Sequence, residues 1–400
     1  MAKSLRQTVR VIFLVLLMGL LSGAYALADS APLELAPGVT YSSFDVPTGA
    51  GVAVAHMVTV DLTQPGVSLN LLYPGVVGRA LPLSTMVADQ GAIAGVNADF
   101  FNISATQPGI TPTNAPVGPM ILAGKVLKAA VPTVHRFGPS LPSGAAVTDV
   151  VGVGIDGVVR IGRLTLVGTI STPQGNYTLR GLNQYGIAQG GIALFNSDWG
   201  SVSRKRSICG DDSKRENPCS TNTYEVIVKD GKVAAVAEEP GAGAIPEDTF
   251  VLVGREAGAD QLRALKIGDP VTVEYQMLSS LNVPFDFAVG CQPLIRDGKA
   301  VPGLNATTYA IRSAIGISQD GKTVYLIALD RNKGTMTYAE IAKMLLSVGA
   351  YTGANLDGGG SSTLVIREPG VGGEIVVKNI APTDAQRPIP NGIGVFYTAP

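Results

Sequence analysis

The stretch "GANLDGGGSSTLVIRE", residues 353–368, places one carboxylate, Asp357, directly before three glycines and two serines. An apolar segment with strand character follows the serines. Glycines allow conformations in which successive backbone amides point into one concavity, and such nests bind anions. No lysine follows the turn, and a strand follows instead of a helix, which excludes a Walker-type nucleotide loop. The stretch therefore predicts an acid beside an anion-binding turn where a strand begins.

Strand signals dominate the rest of the chain. Six segments are rich in β-branched residues and either alternate in polarity or are continuously apolar. They are "GVAVAHMVTVDL" (51–62), "GVSLNLLYP" (66–74), "YEVIVKDGKVAAVAE" (224–238), "FVLVG" (250–254), "DPVTVEYQML" (269–278) and "KTVYLIALD" (322–330). Asp-Gly pairs at 156–157, 230–231, 297–298 and 320–321 tolerate the positive φ angles of tight turns, so each predicts a hairpin.

Helix signals are fewer. In residues 335–350, Thr337 and Glu340 form a capping box ahead of an apolar helical face. A second helix is predicted from residue 83 with Ser84 as its cap, and a third within residues 258–269. The fold class predicted from these patterns is α+β: strand-rich mixed sheets with several hairpins and a few packed helices, in a single large domain.

Composition excludes some functions. Of 400 residues, 46% are hydrophobic and 15% are charged, which is enough for a large core. The net charge is −1, from 30 basic and 31 acidic residues, so no nucleic-acid partner is expected.

The first 28 residues have the pattern of a signal peptide. Basic residues precede an apolar run at 11–21, and Ala26-Leu27-Ala28 offers small residues for cleavage after Ala28. An uncleaved anchor stays open, although the run is shorter than the ~20 residues of a span. We expect an exported protein, periplasmic or secreted, with a mature domain at 29–400, core motifs at 91–400 and no membrane span after cleavage.

Export changes how the three cysteines are interpreted. Cys209 and Cys219 bracket the polar loop 209–219, and in an oxidising compartment such a pair predicts a disulfide, with two free thiols as the alternative. Cys291 is expected to be a small buried apolar group. The chain has only two histidines, His56, which is expected to be buried, and His135, which is expected in a surface loop, so the catalytic groups of an enzyme are expected to be carboxylates and arginines.

Five stretches place polar residues beside glycines or aromatic residues at strand ends. They are "GVNADFFN" (95–102), "AVGCQPLIRDGK" (288–299), "RSAIGI" (312–317), the stretch at 353–368 and "NGIGVF" (391–396). Together, and in this order, they resemble the motifs of the phosphodiester glycosidase family. The resemblance extends over nearly all the mature chain, from about residue 38 to 396.

The resemblance implies a hydrolase that cleaves the bond between a sugar and a phosphodiester, acting on a sugar-phosphate or glycan substrate without a cofactor. It assigns Asp357 and Arg312 as catalytic. It assigns substrate binding to a set of matched positions: Asn97, Gly359, Gly360, Ser361, Asn391 and, more weakly, Asp330. Cys291-Gln292, where glycine is expected, leaves the sugar specificity open.

The mechanism expected from these residues depends more on stabilising negative charge on the leaving group than on general acid catalysis. A phosphate leaving group is a weak base, so Arg312 and the glycine turn would bind its oxygens while Asp357 attacks the anomeric carbon or activates water. Three alternatives stay open: a non-catalytic carbohydrate- or cell-wall-binding protein, a phosphodiesterase that cuts the P–O bond, and a metal-assisted variant using Asp99 and Asp330.

Overall fold

A computed structural model describes residues 31–370 and 372–400, and the predicted signal segment, residues 1–28, lies outside the described residues. The strands in the first half of the chain are β1 (Leu33–Ala36), β2 (Val39–Thr48), β3 (Gly51–Asp61), β4 (Val67–Leu72), β5 (Ala94–Asn97), β6 (Met120–Leu122), β7 (Lys125–Lys128), β8 (Asp149–Gly154), β9 (Val159–Thr172), β10 (Gly175–Leu182) and β11 (Ile192–Phe195). Those in the second half are β12 (Thr223–Lys229), β13 (Lys232–Ala237), β14 (Thr249–Arg255), β15 (Thr272–Ser279), β16 (Phe285–Gly290), β17 (Gln292–Arg296), β18 (Lys299–Ala300), β19 (Ser313–Ile317), β20 (Thr323–Leu329), β21 (Thr352–Asn355), β22 (Leu364–Arg367), β23 (Ile375–Val377) and β24 (Gly392–Tyr397).

Three α-helices accompany these strands: α1 (Leu83–Asp89), α2 (Ala257–Arg263) and α3 (Tyr338–Ser347). Short 3₁₀ turns occupy Thr133–His135, Ser197–Trp199, Arg204–Ile208 and Gly359–Ser361. Strand residues make up 41% of the described residues and helical residues 10%, and the described residues form one domain. The prediction of a strand-rich α+β fold is therefore confirmed. Within the described residues, no helix combines the length and the apolar character needed to cross a bilayer.

The strands form three sheets. An eight-stranded sheet has the order β1-β2-β3-β20-β19-β21-β17-β18, and a five-stranded sheet has the order β23-β22-β5-β24-β4. The third sheet has the order β13-β12-β14-β11-β10-β9-β8-β16-β6-β7, with β15 paired to β9. All four Asp-Gly pairs join antiparallel neighbours, which confirms the predicted hairpins.

The eight-stranded sheet is buried on both faces. Along β20, Leu326 and Ala328 belong to the large core between the sheets, while Ile327 and Leu329 belong to a second core under α3. Because both faces of the strand are covered, its sequence is continuously apolar instead of alternating. Helix α3 begins at the predicted Thr337–Glu340 capping box.

Three sequence predictions are wrong in detail. Helix α1 has Pro82 at its cap position, and Ser84 lies inside the helix, where its hydroxyl accepts a 2.9 Å hydrogen bond from Gln386. Helix α2 ends at Arg263 and the chain continues in turns. His135 is fully buried, because its segment folds inward as a 3₁₀ turn against Gly186, and this burial lowers the pKa of its imidazole to about 4.

The cysteine predictions are confirmed. Cys209 and Cys219 form a disulfide that closes the 209–219 loop. Cys291 is a buried free thiol at the junction of β16 and β17. Burial raises the pKa of this thiol well above its ordinary value, which favours the inert protonated form.

Candidate active site

The stretch at 353–368 is the crossover between two sheets. Strand β21 pairs with β19 in the eight-stranded sheet, and β22, on the far side of the Asp-Gly-Ser turn, pairs with β5 in the five-stranded sheet. The turn must therefore leave one sheet and enter another within a few residues. Glycine permits this path, since Gly359 has a φ of +58° in the left-handed region.

Two hydrogen bonds fix the position of Asp357 within this crossover. Its backbone N–H donates to the carbonyl oxygen of Ala98 at 2.7 Å, and its own carbonyl accepts from Asn97 Nδ2 at 2.6 Å. Both partners lie at or just after the end of β5. The motif at 95–102 thus holds the acid through its backbone, while its side chain lines the cleft.

The cleft beside Asp357 has a volume of about 340 Å³. Three charged side chains line it: Asp357, Arg312 and Arg387. The remaining lining is formed by Phe100, Phe101, Ile103, Phe137, Gly138, Pro139, Thr308, Ala310, Ile311, Gly358 and Gly359. The volume falls within the range of small-molecule sites. The acid and the guanidinium that the sequence separates by 45 positions therefore share one concave surface.

The carboxyl group of Asp357 is strongly perturbed. Burial in the cleft wall raises its pKa from the ordinary 3.8 to about 7, and the charge of Asp99 adds to this rise. Hydrogen bonds from Ser361 and from the Gly358 N–H, together with the charge of Arg387, oppose it. A carboxyl group poised near neutrality can change its protonation state in the working pH range, which is the property expected of a general base or acid.

Arg312 is fixed in the floor of the cleft. Its side chain is 5% exposed, Nε donates to the Met336 carbonyl at 3.1 Å and Nη2 to the Thr308 carbonyl at 3.0 Å. The guanidinium also lies 4.3 Å from the centre of the Tyr338 ring. The two carbonyls use two of the five N–H groups of the guanidinium, so three N–H groups on Nη1 and Nη2 remain for a ligand.

Arg387 supplies the second cation and was not predicted from the sequence. Its side chain is exposed, lines the cleft, and donates from Nη1 to Ser361 Oγ at 3.2 Å. Ser361 in turn hydrogen-bonds the Asp357 carboxylate, so the three side chains form a chain of contacts. A Cβ on Gly360 would lie 2.4 Å from the Arg387 guanidinium, so a larger residue at position 360 would displace this exposed side chain. The single sequence signal for Arg387 is a cation four positions before Asn391.

Arg331 contacts the backbone on the side of the cleft where Arg387 lies. It donates from Nη1 to the Ala385 carbonyl at 3.0 Å and from Nη2 to the Gly360 carbonyl. These bonds tie the glycine turn to the loop that carries Arg387. The charge of Arg387, added to burial, lowers the pKa of Arg331. Two guanidinium groups held close together favour the binding of an anion, because their mutual repulsion is relieved by a negative ligand.

The glycine turn itself does not form the predicted nest. The Gly358 N–H donates to Asp357 Oδ1 at 2.9 Å, the Gly359 N–H to the Ile311 carbonyl at 2.8 Å, and the Ser361 N–H to the Gly358 carbonyl at 3.1 Å. The crossover between sheets consumes these amides within the protein. Donors for an anion must therefore come mainly from the two arginines.

Of the other predicted substrate-binding residues, Asn97 and Asn391 lie behind the cleft wall. Asn97 is 1% exposed, and its Oδ1 accepts from Ser313 Oγ at 2.7 Å and from the Thr363 N–H at 3.0 Å. Asn391 is fully buried and accepts from the Asp99 N–H at 2.9 Å. Their amides are satisfied by protein groups, so their geometry is that of positioning residues rather than of ligand contacts.

Asp330 lies outside the cleft lining. It follows β20, and its Oδ2 is 3.4 Å from His56 Nε2 while Oδ1 accepts from the Asn332 N–H at 2.9 Å. His56 is also 2.8 Å from the Tyr41 hydroxyl through Nδ1, which confirms a buried structural histidine.

Asp99 is buried as well, and its Oδ2 accepts from the Gly118 N–H at 2.6 Å. Burial raises the pKa of this carboxyl group to about 6, and the charge of nearby Lys128 opposes the rise. Across residues 31–370 and 372–400, no three acidic, histidine or cysteine side chains gather in a way that could hold a metal ion.

Comparison with known proteins supports this description of the fold. Residues 222–396 match the family model described as phosphodiester glycosidase. A hypothetical protein from Synechocystis shares the fold with a TM-score of 0.69 and 24% identity, over 94% of this chain and 68% of that one. A protein from Burkholderia pseudomallei, named as a candidate for export, has a TM-score of 0.65 and 21% identity, over 86% of this chain and 74% of its own.

A third structure is the catalytic domain of the zebrafish N-acetylglucosamine-1-phosphodiester alpha-N-acetylglucosaminidase, auto-inhibited by its pro-peptide. It aligns with a TM-score of 0.43 and 13% identity, over 92% of this chain and 84% of that one. No curated protein matches the sequence.

The cleft brings one acid and two arginines together, an arrangement of charges that is suited to binding an anionic ester. The match over residues 222–396 agrees with the resemblance to the phosphodiester glycosidase family that was drawn from the motifs. Family and fold support a hydrolase of that type. The 95–102 motif lies outside the matched segment, but its Asn97 and Ala98 hold Asp357 in place.

Proposed function

We propose that this protein hydrolyses the glycosidic bond between a sugar and a phosphodiester, releasing the free sugar and a phosphate monoester. The observation that supports this most directly is the presence of Asp357, Arg312 and Arg387 in one cleft of about 340 Å³. Two cations and one acid are what the departure of a phosphate group requires, because the leaving group carries the charge that develops in the transition state.

The two arginines have complementary roles in this reaction. Arg312, immobilised by two carbonyls and an aromatic ring, offers preorganised donors to the phosphate oxygens. Arg387, exposed at the rim, closes on the phosphate from the other side. A preorganised donor stabilises developing charge without reorganising during the reaction.

Asp357 acts at the anomeric carbon. In its ionised form it either attacks this carbon directly or removes a proton from the attacking water. The oxygen of water ends on the sugar, the bond between the anomeric carbon and the phosphate oxygen breaks, and the electron pair leaves with the phosphate monoester. A pKa of about 7 makes Asp357 a stronger base than an ordinary carboxylate while leaving roughly half of it ionised at neutral pH.

The experiment that tests this function uses a panel of sugar 1-(methyl phosphate) diesters in water enriched in ¹⁸O. Cleavage at the anomeric carbon gives free sugar and unlabelled methyl phosphate. A phosphodiesterase would cut the P–O bond and leave the label on phosphorus, and a pure binding protein would release neither product. Absence of turnover across the panel would contradict the proposal.

Asp357→Asn provides the matched variant, because it preserves the shape of the side chain and cannot ionise. We expect turnover to fall by at least about 10³-fold. Asp330→Asn makes the same chemical change outside the cleft and serves as its control. Near-normal activity of Asp357→Asn would refute the assigned role.

The physiological setting belongs to the same proposal. The disulfide of residues 209–219 is the kind of bond that persists in an oxidising compartment. We therefore place the protein outside the cytoplasm, periplasmic or secreted, and propose a phosphate-containing glycan or a polymer of the cell envelope as the substrate. Localisation of the full-length chain by fractionation tests this placement.

A further inference from the structure

Apart from its three charged side chains, the cleft is lined almost entirely by apolar groups. Phe100, Phe101 and Phe137 contribute aromatic rings, Ile311 contributes an aliphatic group, and Ile103 lies at the surface with 41% of its area exposed. Among the described residues that line the cleft, Thr308 is the one neutral side chain with a hydroxyl group. A surface of this composition gives a sugar few partners for its hydroxyl groups.

The apolar lining of the cleft formed by Phe100, Phe137 and Ile103, here called the apolar wall, is supported by further packing contacts behind its two aromatic rings. A Cβ on Gly138 would lie 2.5 Å from Cδ1 of Phe100, so glycine lets this loop pack directly on the ring. Phe137 meets Tyr185 edge to face with ring centres 5.9 Å apart, and the Arg215 guanidinium covers it at 4.4 Å. Rings held from behind in this way are preorganised for contact, because they lose little conformational freedom when a ligand binds.

A phosphodiester has two substituents on phosphorus, and in this cleft they would contact different kinds of side chain. The phosphate lies between the arginines, and the sugar must place its anomeric carbon beside Asp357, where the charged side chains can also serve its hydroxyls. The second substituent, the alcohol on the other side of phosphorus, then meets the remaining lining. We propose that this alcohol is apolar, an alkyl or aryl group that packs on Phe100, Phe137 and Ile103.

This inference rests on the proposed function, and it names the leaving group: the monoester of an apolar alcohol. Hydrolysis adds the oxygen of water to the sugar, and the electron pair of the broken bond leaves on the alkyl phosphate. The apolar group takes no part in bond making. Its effect is on binding, which grows with the hydrocarbon area removed from water.

The test compares two substrates that differ only in the alcohol, a sugar 1-(octyl phosphate) and the corresponding sugar 1-(methyl phosphate). Burying part of the octyl chain should raise kcat/KM by about tenfold or more over the methyl diester. Ile103→Asn should bring the octyl-to-methyl ratio close to one. Ile155→Asn is the matched control, since Ile155 is 69% exposed and does not line this cleft, and it should keep the wild-type ratio.

Calorimetry with octyl phosphate and methyl phosphate on the wild-type protein separates this inference from the proposed function. Tighter binding of octyl phosphate by about tenfold, lost in Ile103→Asn and kept in Ile155→Asn, supports the apolar wall whether or not the protein turns over a diester. Equal rates for both diesters, with equal affinities for both monoesters, overturn the inference and leave the proposed hydrolysis standing.

Discussion

Arg312 and Arg387 bring the same chemical group to the cleft in opposite ways. Arg312 is 5% exposed and held by two carbonyls and the Tyr338 ring, whereas Arg387 is exposed and donates a 3.2 Å hydrogen bond to Ser361. The first is a fixed part of the floor and the second is an adjustable part of the rim. In the proposed reaction, such a division would let one cation stabilise the transition state while the other admits and releases the ligand.

The largest expected difference between Arg312 and Arg387 is in the loss of kcat/KM when each is replaced by lysine. Arg312→Lys keeps the charge but cannot reproduce a planar group that donates to Met336, Thr308 and a ligand together, so kcat/KM should fall about a hundredfold. Arg387→Lys should cost less than about threefold, because an exposed ammonium can move to the phosphate. Steady-state kinetics on the two variants measure both effects, with thermal melts to verify folding. Equal losses would remove the distinction.

The pH dependence of kcat/KM tests the role of Asp357. If ionised Asp357 is the working form, kcat/KM should decrease about tenfold per pH unit below the pKa of about 7 and level off above it. A pH–rate profile from pH 4.5 to 9 measures this, and Arg387→Lys should keep its shape. A profile that declines as the pH rises through 7 would instead assign Asp357 as the proton donor.

The raised pKa of Asp357 also predicts that the protein loses stability over the pH range in which its activity increases. Because the pKa of Asp357 is raised in the folded protein, the native state binds this proton more tightly than the unfolded chain. The free energy of unfolding therefore decreases as the pH rises from about 4 to 7, and the penalty is complete above that. Asp357→Asn lacks this penalty and should gain ~1–3 kcal/mol at pH 8 but little at pH 4. Urea denaturation at both values checks it, and equal gains would contradict the assignment.

The smallest effect is expected outside the cleft. Asp330→Asn should change kcat/KM by less than about twofold, because Asp330 contacts His56 and Asn332 rather than the cleft lining. Kinetics with the methyl diester, run alongside Asp357→Asn, measure it directly. A loss comparable to that of Asp357→Asn would bring Asp330 back into the site.

Much of the fold was predictable from local patterns. The Asp-Gly hairpins and the α3 capping box depend on backbone preferences of a few adjacent residues, which the sequence states directly. Helix α1 was predicted with the wrong cap because Ser84 is used by Gln386, which lies 302 positions away. His135 was placed at the surface because polarity and nearby prolines indicate loops, but they carry no information on what packs over the loop.

The site was predictable in part. Motif order identified Asp357 and Arg312, and both line the cleft. Arg387 and Arg331 were missed, since an arginine in a proline-rich loop has no local mark of function. Asn97 and Asn391 were predicted as ligand contacts, but each is enclosed by hydrogen-bond partners from distant strands, which gives them the geometry of positioning residues.

The sequence by itself determined the local turns, the strand-rich character and the order of motifs that marks the family, because these depend on neighbours along the chain. Tertiary structure decided which polar groups remain free to meet a ligand. The crossover between two sheets consumes the amides of the glycine turn, carbonyls use two N–H groups of Arg312, and a loop from the end of the chain adds Arg387. Each donor can be used only once, so its availability depends on every group that the fold brings within reach.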